Sequence, residues 1–150
     1  MEHNVHFSSQ TPEWESPADL FAELNGIFHF DLDACATSEN AKCPRYFTIE
    51  DDALTQEWKG TVWMNPPYGR VIIDFMRKAY ESSVAGATVV CLVPSRTCTR
   101  WWHEYAKCGT VIQLQGRLKF GDATNYAPFP SAIVIFWGGR LGQAIRPFQP

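Results

Sequence analysis

The fold class this sequence predicts is a three-layer α/β domain, with helices packed on both faces of a central sheet. Three observations predict it. Segments of strand character alternate with segments of helical periodicity through the first two thirds of the chain. The run Thr88-Val89-Val90-Cys91-Leu92-Val93 is apolar without interruption, as a central strand covered on both faces must be. Near the end, apolar residues from Val111 to Phe120 and from Ile133 to Trp137 follow one another with turn residues between them, so the sheet is expected to be mixed and to finish in an antiparallel hairpin.

Residues 1–13 lack periodicity and read as a loose arm. Ser16 can cap a helix with Pro17 at its first position and Asp19 in its first turn; Leu20, Phe21 and Leu24 form its buried stripe, and Asn25-Gly26 ends it. Ile27 to Asp33 reads as a strand whose acidic end opens onto a loop. Residues 34–61 are less regular, with a short helix expected near Ser38 to Lys42 and a short strand at Arg45 to Thr48. Gly60 to Met64 is a strand. Val71, Ile72, Phe75, Met76, Ala79 and Tyr80 share one face of a helix that Gly86 closes, and Pro94 stops the central strand after it. A helix spans Thr99 to Lys107 and ends at Gly109, a hairpin turns around Gly116, and Ile133 to Trp137 forms the last strand. The tail from Gly138 to Pro150 is expected to be partly disordered.

Composition narrows the function classes. A chain of 150 residues is most simply one domain, residues 1–150, long enough to bury about two-thirds of its unfolded surface. No run approaches the roughly 20 apolar residues needed to cross a bilayer. Met1-Glu2-His3-Asn4 has neither a basic region nor an apolar one, so no signal peptide is read and a cytoplasmic protein is expected. The five cysteines, at 35, 43, 91, 98 and 108, form no CxxC pair, and an odd count suits free thiols better than a disulfide framework. Cys98, His103 and Cys108 lack the spacing of a structural zinc site, and no metal is expected. The net charge of −3 conceals an asymmetry: residues 1–69 carry 3 Lys/Arg against 12 Asp/Glu, and residues 70–150 carry 10 against 4. A phosphate-binding surface would come mainly from the second half, unless that half is simply a solvated basic face.

Asn65-Pro66-Pro67-Tyr68, at the end of the apolar run Val62-Trp63-Met64 and followed by Gly69, carries the strongest chemical signal. An exocyclic amine such as adenine N6 is a poor nucleophile because its lone pair is delocalised into the ring. The Asn65 side-chain oxygen and the Pro66 carbonyl can accept the two amino hydrogens and turn the lone pair toward an electrophilic methyl group. The prolines fix φ and hold the loop rigid. Tyr68 offers a flat face for a base drawn out of its helix. A proline-rich corner between strand and loop, with no chemistry, is the alternative.

The match extends beyond those four residues. Trp14-Glu15-Ser16-Pro17 with Leu20-Phe21, Phe30 to Ala36, Trp63 to Tyr68, Pro94-Ser95-Arg96-Thr97, Trp101-Trp102-His103 and Gly116 to Phe120 occur in an order that resembles the small phage-type DNA N6-adenine methyltransferases (Dam-like) over nearly the whole chain. The resemblance implies a Rossmann-like fold dependent on S-adenosylmethionine, DNA as partner, and a bacterial or phage-infected cytoplasm. Open α/β sheets bind ligands beyond the carboxyl ends of their strands, where the loops after Asp33, Met64 and Val93 would meet.

For the donor, Asp33 and Asp31 are the leading acidic candidates, to hold ribose hydroxyls or the ammonium group. Ala34-Cys35-Ala36 stands where methyltransferases usually have a glycine-rich loop; its small side chains can still admit a cofactor. Asp33 can instead cap the following turn. The resemblance also places Asp52 near the donor's adenine, and Trp14, Ser16 and Pro17, with Asn65, near its methionine end. Phe21 reads as a staple of the first helix. Arg96, Arg100, Arg117 and Lys119 are the candidates for nucleic-acid contacts; the guanidinium of Arg96 or Arg117 grips phosphate through a fork of donors, although either can instead pair with an acidic neighbour. RNA adenine or protein glutamine as acceptor, and a decayed binding module on the same scaffold, stay open as alternatives.

Overall fold

The computed structural model describes residues 15–121 and 124–139. The expected arm over residues 1–13, together with Trp14, and the tail from residue 140 onward lie outside the described residues.

Among the described residues, six strands form one mixed sheet in the order β2-β1-β3-β4-β6-β5, with β1 at Leu32–Asp33, β2 at Arg45–Tyr46, β3 at Thr61–Met64, β4 at Thr88–Pro94, β5 at Thr110–Gln113 and β6 at Ser131–Phe136. The pairs β1–β2, β1–β3 and β3–β4 are parallel, and β4–β6 and β5–β6 antiparallel. Strand pleating sends alternate residues to opposite faces. Val62, Met64, Val89, Cys91, Val93 and Val134 pack into one apolar cluster, where helix α2 (Ile72–Val84) contributes Phe75, Met76 and Ala79 and helix α3 (Arg100–Glu104) contributes Trp101 and Trp102. Trp63, Val90, Leu92, Ile133 and Ile135 pack into a second cluster with Phe21 of helix α1 (Ala18–Phe28) and with Phe120 and Phe129. Both faces of β4 are therefore covered, and each fully buried side chain of this size stabilises the fold by about 1.5–3 kcal/mol.

Several boundaries differ from the sequence expectation. Ser16 does not cap α1; Pro17 takes the cap position with extended backbone and no side-chain bond, because the Ser16 hydroxyl is engaged by Trp63 and Asn65. The helix also runs through Gly26 and stops where His29 turns left-handed, at φ 53°, while Asn25 Oδ1 accepts the N–H of Phe30 at 2.8 Å. That extension takes Ile27 and Phe28 from the expected Ile27–Asp33 strand, and only Leu32–Asp33 of it pairs in the sheet. The helix expected near Ser38 is a turn closed by Thr37 and Asn40, whose side chains exchange bonds with each other's backbone N–H groups. The expected helix from Thr99 to Lys107 is α3 followed by a 3₁₀ turn at Ala106–Cys108. No hairpin turns at Gly116: β5 and β6 pair antiparallel but are joined by residues 114–130, where Leu118 and Phe120 pack against the second cluster instead of extending the ladder. All five cysteines are free thiols. Among the described residues no helix is long and apolar enough to cross a membrane.

Candidate active site

Because β1, β3 and β4 run parallel with Asp33 opposite Trp63 and Met64 opposite Cys91, the loops that follow them share one edge of the sheet. Asn65, Pro66 and Pro67 are buried there and Tyr68 is half-buried. The Asn65 amide is held from two sides: Nδ2 donates to Ser16 Oγ at 3.3 Å, and Oδ1 accepts from the Tyr68 hydroxyl at 3.2 Å. Burial pushes the Tyr68 phenol pKa up, so the group is a neutral donor. The Tyr68 ring stands nearly perpendicular to Phe120 and Phe129, with centroids 6.4 and 5.6 Å away.

Among the described residues, two concavities adjoin this loop. One is a cavity of about 120 Å³ walled by Ala34, Cys35, Phe47, Ile49, Leu54 and Pro67, with Asp52 at its lining too. Asp52 adopts a left-handed conformation, φ 51°, ahead of a 3₁₀ turn at Ala53–Thr55. The structure thus unites three of the donor-site candidates, Ala34, Cys35 and Asp52, with Pro67. The apolar residues Phe47, Ile49 and Leu54 escaped the sequence reading, since a hydrophobic wall carries no motif. Ala36 is buried beside β2, its N–H donating to the Phe47 carbonyl, and does not line this cavity. Pro17 is half-buried ahead of α1 and its carbonyl accepts the N–H of Phe21.

Asp33 is buried, with Oδ2 accepting the N–H of Lys42 at 3.0 Å and Oδ1 that of Cys35 at 3.3 Å. Its carboxylate ties down the loop that forms the cavity wall, which is the turn-capping role. Burial lifts its pKa to about 7, against the opposing pull of those two N–H groups. Asp31 lies at the other end of β1, away from this edge. Its Oδ2 accepts the N–H of Thr61 at 2.8 Å, and a Cβ on Gly60, whose φ is +77°, would come within 2.3 Å of that oxygen. Asp31 is thus a clasp between the amino ends of β1 and β3, and the structure does not bring it to the cavity.

The second concavity is a groove of about 550 Å³ lined by Tyr68, Arg70, Ile73, Pro94, Arg96 and Arg100, among others. Two of the predicted cations meet Tyr68 here. Arg96 is exposed, its guanidinium 5.9 Å from the Phe129 centroid, and Arg100 pairs with Glu104 one helical turn away. Arg117 is exposed on the 114–120 loop and does not line the groove; Lys119 lies over the Tyr126 ring at 4.6 Å. Arg70 was missed by the sequence reading. Its signal was adjacency, two residues beyond Tyr68. No group of three or more His, Cys, Asp or Glu among the described residues could hold a metal.

Comparison with known proteins gives the family. The model of the family described as DNA N-6-adenine-methyltransferase (Dam) matches residues 6–136. The chain belongs to this Dam family. It is 35% identical to the DNA N-6-adenine-methyltransferase of Haemophilus phage HP1, over 81% of this chain and 80% of that protein. It is 31% identical to the protein of the same description from Escherichia phage T1, over 88% of this chain but 56% of the relative. The Dam match therefore covers the cavity, the Asn65 to Tyr68 loop and the groove, while the chain spans little more than half the length of the T1 relative.

Proposed function

We propose that this chain is a single-domain, three-layer Rossmann-like enzyme that methylates adenine N6 in DNA with S-adenosylmethionine as donor, on a base flipped against Tyr68. One observation carries the reading: consecutive residues of one buried loop line the two concavities, Pro67 the cavity and Tyr68 the basic groove. Family membership supports it.

The cavity suits the donor's adenosyl end, since its walls are apolar, Ala34 leaves space where a larger side chain would intrude, and the Asp52 carboxylate can accept hydroxyl or amino hydrogens. Bound there, the donor supplies a sulfonium-activated methyl. Asn65 Oδ1 and the Pro66 carbonyl accept the two hydrogens of the target amine and free its lone pair for that methyl. Tyr68 stacks on the base, and the basic groove takes the backbone phosphates. After transfer the extra proton on nitrogen leaves to water, so no general base is demanded. Arg70, Arg96 and Arg100 give the groove its positive charge, and the loops that carry Arg96 and Phe129 supply whatever sequence discrimination the enzyme has.

The test is incubation with S-adenosylmethionine and separate DNA, RNA and glutamine-peptide substrates, followed by mass spectrometry of the digested products. N6-methyladenine in DNA is expected. Methyl appearing only in RNA or on a peptide glutamine would replace the acceptor in this reading, and methyl on none of them would remove the activity.

A further inference from the structure

The Ser16 hydroxyl lies at the junction of two elements far apart in sequence. It accepts the indole N–H of Trp63 at 3.0 Å and the Nδ2 hydrogen of Asn65 at 3.3 Å, and it is itself buried. Trp63 is fully buried and gripped by aromatic rings, Phe21 at 5.4 Å in an edge arrangement and Phe30 at 5.5 Å. An indole nitrogen can only donate, so it holds one lone pair of Ser16 Oγ in a fixed direction. The remaining acceptor site of Ser16 meets the amino end of the Asn65 amide. The oxygen end then faces the opposite way, toward Tyr68. An amide in solution rotates freely about its χ2 and presents either end, so something must choose.

We propose that Ser16 is a positioning residue for methyl transfer: anchored by Trp63, it sets the orientation of the Asn65 amide so that Oδ1 faces the acceptor amine. This rests on the methyltransferase reading. It gives Ser16 a role different from a contact with the donor's methionine end, and it explains why the serine leaves the helix uncapped. The chain from Phe21 through Trp63 and Ser16 to Asn65 also makes the packing of α1 part of the geometry of the reacting loop. The backbone N–H of Gly121 donates to the Glu15 carbonyl at 2.8 Å, which fixes the same segment from the other side.

Two variants isolate the effect. Ser16→Ala removes the acceptor, and Ser16→Thr keeps a hydroxyl at the same position. In single-turnover assays on an adenine-containing duplex, Ser16→Ala is expected to slow transfer about tenfold, the scale of one lost neutral hydrogen bond. Affinity for S-adenosylmethionine, measured by calorimetry, should stay unchanged, and Ser16→Thr should restore the rate. Adding Ser16→Ala to Asn65→Ala should cause no further loss, because the serine acts only through that amide. A loss that appears in donor affinity alone, a further loss in the Asn65→Ala background, or an unchanged rate in folded Ser16→Ala would overturn the proposal. An amide and indole ¹⁵N–¹H spectrum gives a readout independent of turnover. The Asn65 side-chain and Trp63 indole signals should move in Ser16→Ala and stay in place in Ser16→Thr; signals that stay in place in both would also overturn it. If the wild type methylates nothing, the methyltransferase reading falls, and the spectra still decide whether Ser16 holds Asn65.

Discussion

The Tyr68 hydroxyl donates to the side-chain oxygen of Asn65 across 3.2 Å, so the acceptor proposed for the target amine is already engaged by the residue proposed to stack the base. In the proposed mechanism an arriving amino group would take over the acceptor from the Tyr68 hydroxyl, so Asn65 Oδ1 is hydrogen-bonded both before and after entry. Asn65→Ala removes that oxygen and should lower the transfer rate by about 10²–10³-fold, the scale of a lost preorganised transition-state contact, with donor and DNA binding largely retained. Tyr68→Phe should keep most turnover, since the ring stays and the hydroxyl is displaced in any case. Tyr68→Ala should cost about 1–3 kcal/mol in retention of the base. Single-turnover kinetics decide it: near-normal transfer by Asn65→Ala would sink the mechanism, and Tyr68→Phe failing like Tyr68→Ala would make the hydroxyl the essential part.

Arg70 and Arg96 line the groove beside Tyr68, and both are exposed. Each phosphate they neutralise releases counterions, so Arg70→Ala and Arg96→Ala should each reduce the slope of log K against log salt by about 0.9. Arg100→Ala should reduce it less, because Glu104 already partners that guanidinium. Fluorescence anisotropy across a salt series measures all three. Wild-type affinity that is indifferent to salt would remove nucleic acid as the partner.

Ile49 walls the cavity yet is 44% exposed, so its side chain can be shortened with little effect on the core. If the donor's adenine rests there, Ile49→Ala should weaken S-adenosylmethionine binding by about 1–2 kcal/mol, the loss of two or so buried methylene contacts. Calorimetry giving equal affinities for variant and wild type would move the adenine elsewhere.

Asp33 links stability to pH. Burial raises its carboxyl to about 7 in the folded chain, so the folded state holds the proton more tightly than the unfolded one. Its stabilising contribution is complete below the unfolded carboxylate value of about 4, and is lost as pH climbs through about 7. Asp33→Asn has no such proton. Urea unfolding of both proteins should therefore show the wild type losing stability relative to the variant between those limits, by an amount on the order of a few kcal/mol. A difference that does not change with pH would mean that Asp33 is ionised throughout.

The loop proposed for the chemistry and the strands around it were legible in the sequence because their signals are local. Asn65 to Tyr68 is contiguous, its prolines restrict the backbone wherever they stand, and the uninterrupted run from Thr88 to Val93 demands cover on both faces. Period and composition likewise announced β3, α2 and β6, whose apolar positions pack as the spacing requires. What tertiary structure decided is where a polar side chain finds its partner. Ser16 carries a cap signature, but an indole and an amide nearly fifty residues away compete for its hydroxyl. Asp31 and Asp33 look equivalent in sequence, yet strand direction sends them to opposite ends of β1, one to a clasp with Thr61 and the other to the loop beside the cavity. Gly116 carries a turn signal, but the residues after it gain more from burial against Tyr68 and the second cluster than from extending a ladder. Hydrogen-bond competition and burial are settled between segments distant in sequence, and local pattern does not record them.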